Sequence, residues 1–382
     1  MKTLKDVELQ GQRVLMRTGF DMPLDEAGNI TDDVRIKDNI DSIHYALNNG
    51  CKQLILLAHM GRPDGKNVEK LRMDVVAKKL SELLKLPVKK LDECIDIDLP
   101  DDRIILLENL RFHKEEEKND DAFARKLASY GDVYVDDAFS NLHRAHASIV
   151  GIPKYLPGCI GFLVEKELKN LDFTHAERPF VCIMGGSKIS TKFGLIKELV
   201  NKVDHMILGG AMIFTFYKAK GWEIGKSLHE DDFIMNAKML LNNEKIILPE
   251  DIVVASEIKP DAIIKTVPAS AIPADMIGLD IGPDSVHNFK VILENAKTIF
   301  WNGPMGYFEI PAFAEGTKKL AEYLANSGKK VIAGGGDTEA AIEGFKEKFF
   351  HVSSGGGASL ELLEGKKLPG IAVLEENEKL FF

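Results

Sequence analysis

A chain of 382 residues with 45% hydrophobic and 28% charged side chains has the composition of an ordinary globular protein and more length than one core fills, so two domains are expected. Its formal net charge of −10 argues against a nucleic-acid partner while leaving room for local cationic patches that bind small anions. No apolar run reaches the roughly 18 residues of a membrane span, the N-terminal MKTLKDVELQGQRV lacks a signal-peptide core, and Cys51, Cys94, Cys159 and Cys182 are far apart with no C-x-x-C, so no membrane association and a cytoplasmic setting are expected.

Residues 13–20 (RVLMRTGF) read as a buried strand, followed by a turn-rich loop and a helix over 37–49 that ends at Gly50. A second strand, 53–59 (QLILLAH), runs into Gly61-Arg62-Pro63-Asp64-Gly65. Helical spacing over 73–84, a strand with its loop over 103–112, a helix over 120–130 and a strand over 132–139 complete a first set of βαβ units, which implies a parallel sheet. Prolines and glycines punctuate 151–161, and a helix over 162–173 follows as the connection between domains. The alternation then restarts: strands at 180–184, 205–208, 245–247, 253–254, 298–301, 330–333 and 350–352, with helices at 191–203, after Pro311 and from Asp337. The fold class expected is α/β, two Rossmann-like doubly wound parallel-sheet lobes joined by a hinge helix.

Ligands of open parallel sheets bind beyond the carboxyl ends of the strands, so the loops there carry the functional argument. In the second half nearly every strand runs into glycine: Gly185-Gly186, Gly209-Gly210, Gly303-Pro304-Met305-Gly306, Gly334-Gly335-Gly336 and Gly355-Gly356-Gly357. Five such loops on one sheet edge describe a nucleotide-sized trough, because glycine lets the backbone approach phosphate. Asp337 could cap its helix or hold a metal ion. Lys188 and Lys192, four apart at a helix start, lie on one side of it; lysines at that spacing are commonly just solvated, and at the mouth of the trough they could balance phosphate charge. G-x-x-x-x-G-K-[ST] is absent. In the first half the loops carry cations instead: Arg17, Arg35, His59 with Arg62, Arg111, and His143 with Arg144. Arginines that converge there favour a small, multiply charged anion. His113 and His146 read as structural, and no Ser-His-Asp, Cys-His or zinc spacing stands out. A glycine trough on one lobe and an arginine cluster on the other suggest phosphoryl transfer between two bound substrates, with water kept out by hinged closure.

The motifs AHMGRPDG (58–65), LLENLRF (106–112), HRAH (143–146), GGSKISTK (185–192), TIFWNGPMGYFE (298–309), GGGDT (334–338) and HVSSGGGASLELLEG (351–365) resemble those of the phosphoglycerate kinase family along essentially the whole chain. The resemblance implies reversible transfer between ATP and the carboxylate of 3-phosphoglycerate, ATP or ADP and Mg²⁺ as ligands, small-molecule partners only, and a monomer. It implies an acid-substrate lobe of residues 1–158 with 368–382, a connecting helix of 159–173 and a nucleotide lobe of 174–367. Carried over by motif, Gly19, Phe20, Asp21, Arg35, His59, Met60, Gly61, Arg62, Arg111 and Arg144 form the acid site, with Arg35 at the reacting carboxyl end. Lys192, Gly210, Pro304, Glu309, Gly335, Gly336, Asp337 and Thr338 form the nucleotide site, with Asp337 on Mg²⁺ and Glu309 on the ribose. Arg35, Lys188, Lys192, Gly355 and Gly356 attend the transferred group.

Two segments depart from the family pattern, and both border the acid pocket. Where the family has R-V-D-F-N-V-P, this chain has Arg17-Thr18-Gly19-Phe20-Asp21-Met22-Pro23, and D-A-F-G-T-A-H-R is replaced by Asp137-Ala138-Phe139-Ser140-Asn141-Leu142-His143-Arg144. An acid at Asp21 beside a substrate carboxylate is expected to weaken 3-phosphoglycerate. The expected function is that of a phosphoglycerate kinase; the alternatives are a paralogous kinase with another phosphorylated acceptor and a non-catalytic nucleotide-binding regulator.

Overall fold

The computed structural model describes residues 1–382, and its contacts divide the chain into two units, Met1–Lys169 with Lys367–Phe382 and Asn170–Lys366. In the first unit, strands β1 (Arg13–Thr18), β2 (Gln53–Leu57), β3 (Lys89–Lys90), β4 (Ile104–Leu106), β5 (Val133–Asp137) and β6 (Gly158–Ile160) form one sheet in the order β3-β4-β2-β1-β5-β6. Every pairing in it is parallel. QLILL of β2 is buried along its whole length because helices cover both faces of the sheet, as unbroken apolar runs require. The helix Val34–Asn48 turns Ile36, Ile43 and Leu47 inward, and Asp74–Leu84 does the same with Val76, Leu80 and Leu84 at helical spacing. The latter stops at Lys85, which takes the left-handed conformation at φ 54.

The C-terminal helix Pro369–Phe381 belongs to this unit because Asn377 fastens it there. Its buried amide accepts the Gly158 N–H at 2.8 Å and donates to the Leu156 carbonyl at 2.7 Å and to the Pro153 carbonyl. Strand β6 stands where prolines and glycines punctuate the sequence and overlaps the expected start of the connecting helix at 159, a correction, since the helix itself is Phe162–Leu171. The strand is short, flanked by Pro157 and Gly161, and becomes a strand through its register against Tyr134, Val135 and Asp136.

In the second unit, β7 (Phe180–Met184), β8 (His205–Leu208), β9 (Ile246–Ile247), β13 (Thr298–Asn302), β14 (Lys330–Gly334) and β15 (His351–Ser353) form a second all-parallel sheet, ordered β15-β14-β13-β7-β8-β9. Between β9 and β13, strands β10 (Asp251–Ala255), β11 (Ile264–Pro268) and β12 (Ile277–Ile281) make a separate antiparallel sheet. This corrects the expectation that 253–254 continue the parallel sheet. Three further helices are ones the sequence did not announce: Ile213–Ala219 and Ile234–Leu240 between β8 and β9, and Pro283–Glu294 between β12 and β13.

Both sheets are doubly wound. The first runs outward from β1 through β2 and β4 and returns to β5 beside β1; the second runs from β7 to β8 and β9 and returns to β13 beside β7. A crevice opens where the winding reverses, at the carboxyl ends of β1 and β5 and of β7 and β13. The division between units falls within the helix Phe162–Leu171.

Candidate active site

In the first unit the carboxyl ends of β1, β2, β4 and β5 bring together Asp21, His59, Arg111 and Arg144. His59 is buried, and Arg17, fully buried on β1, sets its protonation. Arg17 Nη2 stands 2.9 Å from His59 Nδ1, and since a guanidinium only donates, Nδ1 accepts and the ring proton sits on Nε2. Burial first, then the charges of Arg17 and Arg111, pull the His59 ring down to about 4 against the pull of Asp21, so the ring is neutral at pH 7. Nε2 lies 3.5 Å from Asp21 Oδ2.

Arg111 Nη1 donates to the Gly61 carbonyl at 2.9 Å, while its buried Nε has no hydrogen-bond partner and only an ion-pair approach of 3.4 Å to Glu117. Burial and the neighbouring Arg17 hold Arg111 below its ordinary value. Arg62 and Arg144 are exposed and no carboxylate pairs with them. Several cations with unanswered donors make an anion seat, since such a cluster is costly without a counter-charge. Underneath, fully buried Glu116 accepts the Ser148 N–H at 2.9 Å and its hydroxyl at 2.5 Å, and Ser148 Oγ takes Arg17 Nε at 2.9 Å. His146, read from sequence as merely structural, is drawn into the cluster: burial and then Arg111 and Arg17 lower it to about 3.

The other acid-site residues are placed unevenly. Phe20 and Met60 have buried side chains in the hydrophobic core, so they can offer a ligand only backbone. Gly19 is buried, with its N–H on Asn39 Oδ1 at 3.2 Å. Gly61 and Arg35 both meet Asp21.

In the second unit the five glycine loops follow β15, β14, β13, β7 and β8, five adjacent parallel strands, and so share one edge. They do different work. Gly210 takes φ +67, and a Cβ there would lie 2.4 Å from the Gly186 carbonyl oxygen. The Gly185–Gly186, Gly209–Gly210 and Gly303–Met305 loops are thus packed backbone on backbone, joined by Gly185 N–H to Asn302 O at 2.8 Å, Gly186 N–H to Pro304 O at 3.1 Å and Gly210 N–H to Met305 O at 2.9 Å. Gly336 and Gly356 instead face open space.

These loops open onto a cleft of about 300 Å³ whose lining includes Gly186, Gly210, Pro304, Glu309 and Asp337. The opposite wall, missed from sequence, is Phe214 with Gly278, Leu279 and Asp280 of β12. A Cβ at Gly278 would be 2.1 Å from Phe214 Cζ, so the ring lies flush on backbone and the cleft keeps an apolar face. Burial raises Asp280 to about 7 against the N–H groups of Gly316 and Ile281, each 2.8 Å away. No signal short of the antiparallel pairing could have found this wall.

Lys192 immediately precedes the helix Phe193–Leu199, which is shorter than expected, and Lys188 stands exposed in the loop before it. The two lysines therefore do not share a helix face, which corrects that inference. Lys192 Nζ donates to Asn302 Oδ1; burial lowers its pKa while Asp337 and Glu364 oppose the shift. Thr338 is buried, its hydroxyl donating to Gly334 O at 2.8 Å and accepting the Gly303 N–H at 2.7 Å, so it ties two loops together. Gly335 has φ +99 and precedes the helix Gly336–Ala341. Gly355 is buried with its N–H toward Ser353 Oγ at 3.3 Å. No three metal-ligating side chains converge anywhere in the chain. Asp337, an exposed carboxylate on the cleft, suits an ion that brings phosphate oxygens and water as its remaining ligands, as Mg²⁺ does.

A family model described as phosphoglycerate kinase matches residues 4–366. The chain belongs to the phosphoglycerate kinase family. It is 50% identical to the phosphoglycerate kinase of Dictyoglomus turgidum, with 98% of each chain covered, and 49% identical to the cytosolic phosphoglycerate kinase of Triticum aestivum over the same shares. Its fold superposes on the solved phosphoglycerate kinase of Coxiella burnetii with a TM-score of 0.90 at 36% identity, covering 98% of each chain. The Pyrococcus horikoshii structure gives 0.85 at 27% identity over both full lengths. Membership in this family makes the chain a kinase. No helix is long and apolar enough to cross a membrane.

Proposed function

We propose that this phosphoglycerate kinase family member transfers a phosphoryl group reversibly between ATP and the carboxylate of 3-phosphoglycerate. The observation that carries the reading is the division of chemistry between the units: unpaired Arg62 and Arg144 beside His59 and Arg111 on one, and the glycine-lined cleft with Lys192 and Asp337 on the other. The arginines hold the phosphate of the acid, and Arg35 attends its carboxyl end. In the cleft, the backbone of Gly210 and Pro304 and the Phe214 face hold the nucleoside, Glu309 takes the ribose hydroxyls, and Lys192 with the Gly335–Thr338 loop takes the phosphates.

The chemistry asks for little beyond placement and charge. A carboxylate oxygen of the acid bonds to the γ-phosphorus as the bond to the β,γ-bridging oxygen breaks, and ADP leaves. In the second unit, Lys188, Lys192 and the open backbone at Gly356 spread the charge that develops on the transferred group. Asp337 would hold Mg²⁺, which would supply further charge neutralisation. A cytoplasmic setting is in keeping with the wheat relative's cytosolic name. A coupled assay with 3-phosphoglycerate and MgATP is expected to show turnover, and none at millimolar substrate would sink the reading.

A further inference from the structure

We propose that Asp21 is a specificity-determining residue of the acid site: its carboxylate is a resident anion that holds the donors which the carboxyl end of an incoming phosphorylated acid requires. The inference rests on the function proposed above. Asp21 Oδ1 takes the Gly61 N–H at 2.8 Å, and Oδ2 stands 3.5 Å from the proton-bearing Nε2 of His59 and 3.8 Å from Arg35 Nη1. That same Arg35 nitrogen donates to the backbone carbonyl of Asp21, so one residue engages the guanidinium through both main chain and side chain. Burial pushes the Asp21 carboxyl up, but the His59 ring, the Gly61 N–H and Arg35 outweigh it and hold the group well below the usual carboxylate range, so it is charged throughout the neutral region.

The consequence is an unequal pocket. Arg62 and Arg144 have no carboxylate partner and stay available to a phosphate, whereas Arg35 is already paired with Asp21. A ligand carboxylate brought to Arg35 meets Asp21 at close range in a half-buried setting, where like charges repel strongly. The site therefore selects ligands by their phosphate and gains little from a carboxylate. A neutral amide at this position would still accept the Gly61 N–H while removing the competing charge.

The test is calorimetric titration of the full chain and of Asp21→Asn with two ligands, 3-phosphoglycerate and glycerol 3-phosphate, which keeps the phosphate and replaces the carboxylate by a neutral alcohol. The wild type is expected to bind the two within about tenfold of each other. Asp21→Asn is expected to tighten 3-phosphoglycerate by about tenfold or more and to leave glycerol 3-phosphate within about threefold, a shift on the order of 1.4 kcal/mol per decade. Equal changes for both ligands, or none, overturn the proposal while leaving turnover, and hence the proposed function, standing. If neither protein binds either ligand, the assignment of this cluster to phosphorylated acids falls, and the proposal with it. Should Asp21→Asn fail to fold, the wild type alone decides: a preference for 3-phosphoglycerate above a hundredfold contradicts an Arg35 already paired with Asp21.

Discussion

Arg17 Nη2 lies 2.9 Å from His59 Nδ1, and this contact fixes which ring nitrogen faces the anion seat. Because arginine can only donate, the neutral ring carries its proton on Nε2. Long-range nitrogen–proton NMR is expected to show that tautomer unchanged from pH 8 to about pH 5. The folded ring titrates near 4, below the ordinary 6.5 of an unfolded histidine. On acidification the unfolded chain therefore takes the proton first, and the stabilisation present above pH 6.5 is lost as pH falls toward 4. Urea unfolding at pH 7 and pH 5 should cost the wild type about 2 kcal/mol more than His59→Gln; an equal loss in both refutes the assignment.

Lys192 reaches the cleft through Asn302, whose Oδ1 accepts from Nζ and whose Nδ2 donates to the Gly334 carbonyl. Lys192→Met removes the cation itself and is expected to lower kcat for 3-phosphoglycerate and MgATP by about 10²- to 10³-fold. Asn302→Ala leaves the cation but frees it, with an expected loss nearer tenfold. Steady-state kinetics that rank the two in the opposite order would make Asn302, not Lys192, the group that matters.

Gly210 and Gly336 separate structural from ligand-facing glycine. Gly210→Ala forces a Cβ to 2.4 Å from the Gly186 carbonyl oxygen at φ +67, whereas Gly336→Ala meets nothing within 4 Å. The first is expected to lower stability by roughly 1–3 kcal/mol. The second should leave the melting curve within error and weaken MgADP in a titration. A Gly336→Ala protein with unchanged MgADP affinity would remove that loop from the nucleotide site.

Asn377 answers three backbone groups of the first unit, at Gly158, Leu156 and Pro153. Asn377→Ala strands them in a buried setting, at an expected cost of about 3 kcal/mol in urea unfolding. MgADP affinity should not move, since the residue belongs to the first unit and the cleft to the second. A loss below 0.5 kcal/mol, roughly the size of a surface change, would mean that water replaces the amide.

Much of the fold was written in local pattern. Runs such as QLILL and FVCIM can only be strands buried on both faces, and their alternation with helices calls for parallel sheets. The glycine loops were legible for the same reason, because each directly follows its strand. The short strand β6 and the pairing of β10 with β11 and β12 were not, since two- to five-residue segments owe their conformation to partners distant in sequence.

What the sequence determined by itself was the kind of chemistry: glycine, lysine and aspartate after the strands of one sheet, arginine and histidine after those of the other, in motifs specific to one family. Only the tertiary structure decided which of these groups are free to act. It turned Phe20 and Met60 into the core, committed Thr338 to joining two loops, and raised Gly278 and Phe214 into a cleft wall. It also set Asp21 against Arg35 and His59. Burial and hydrogen-bond pairing are properties of neighbours in space, and they govern whether a residue of the right type still has a charge or a donor to offer.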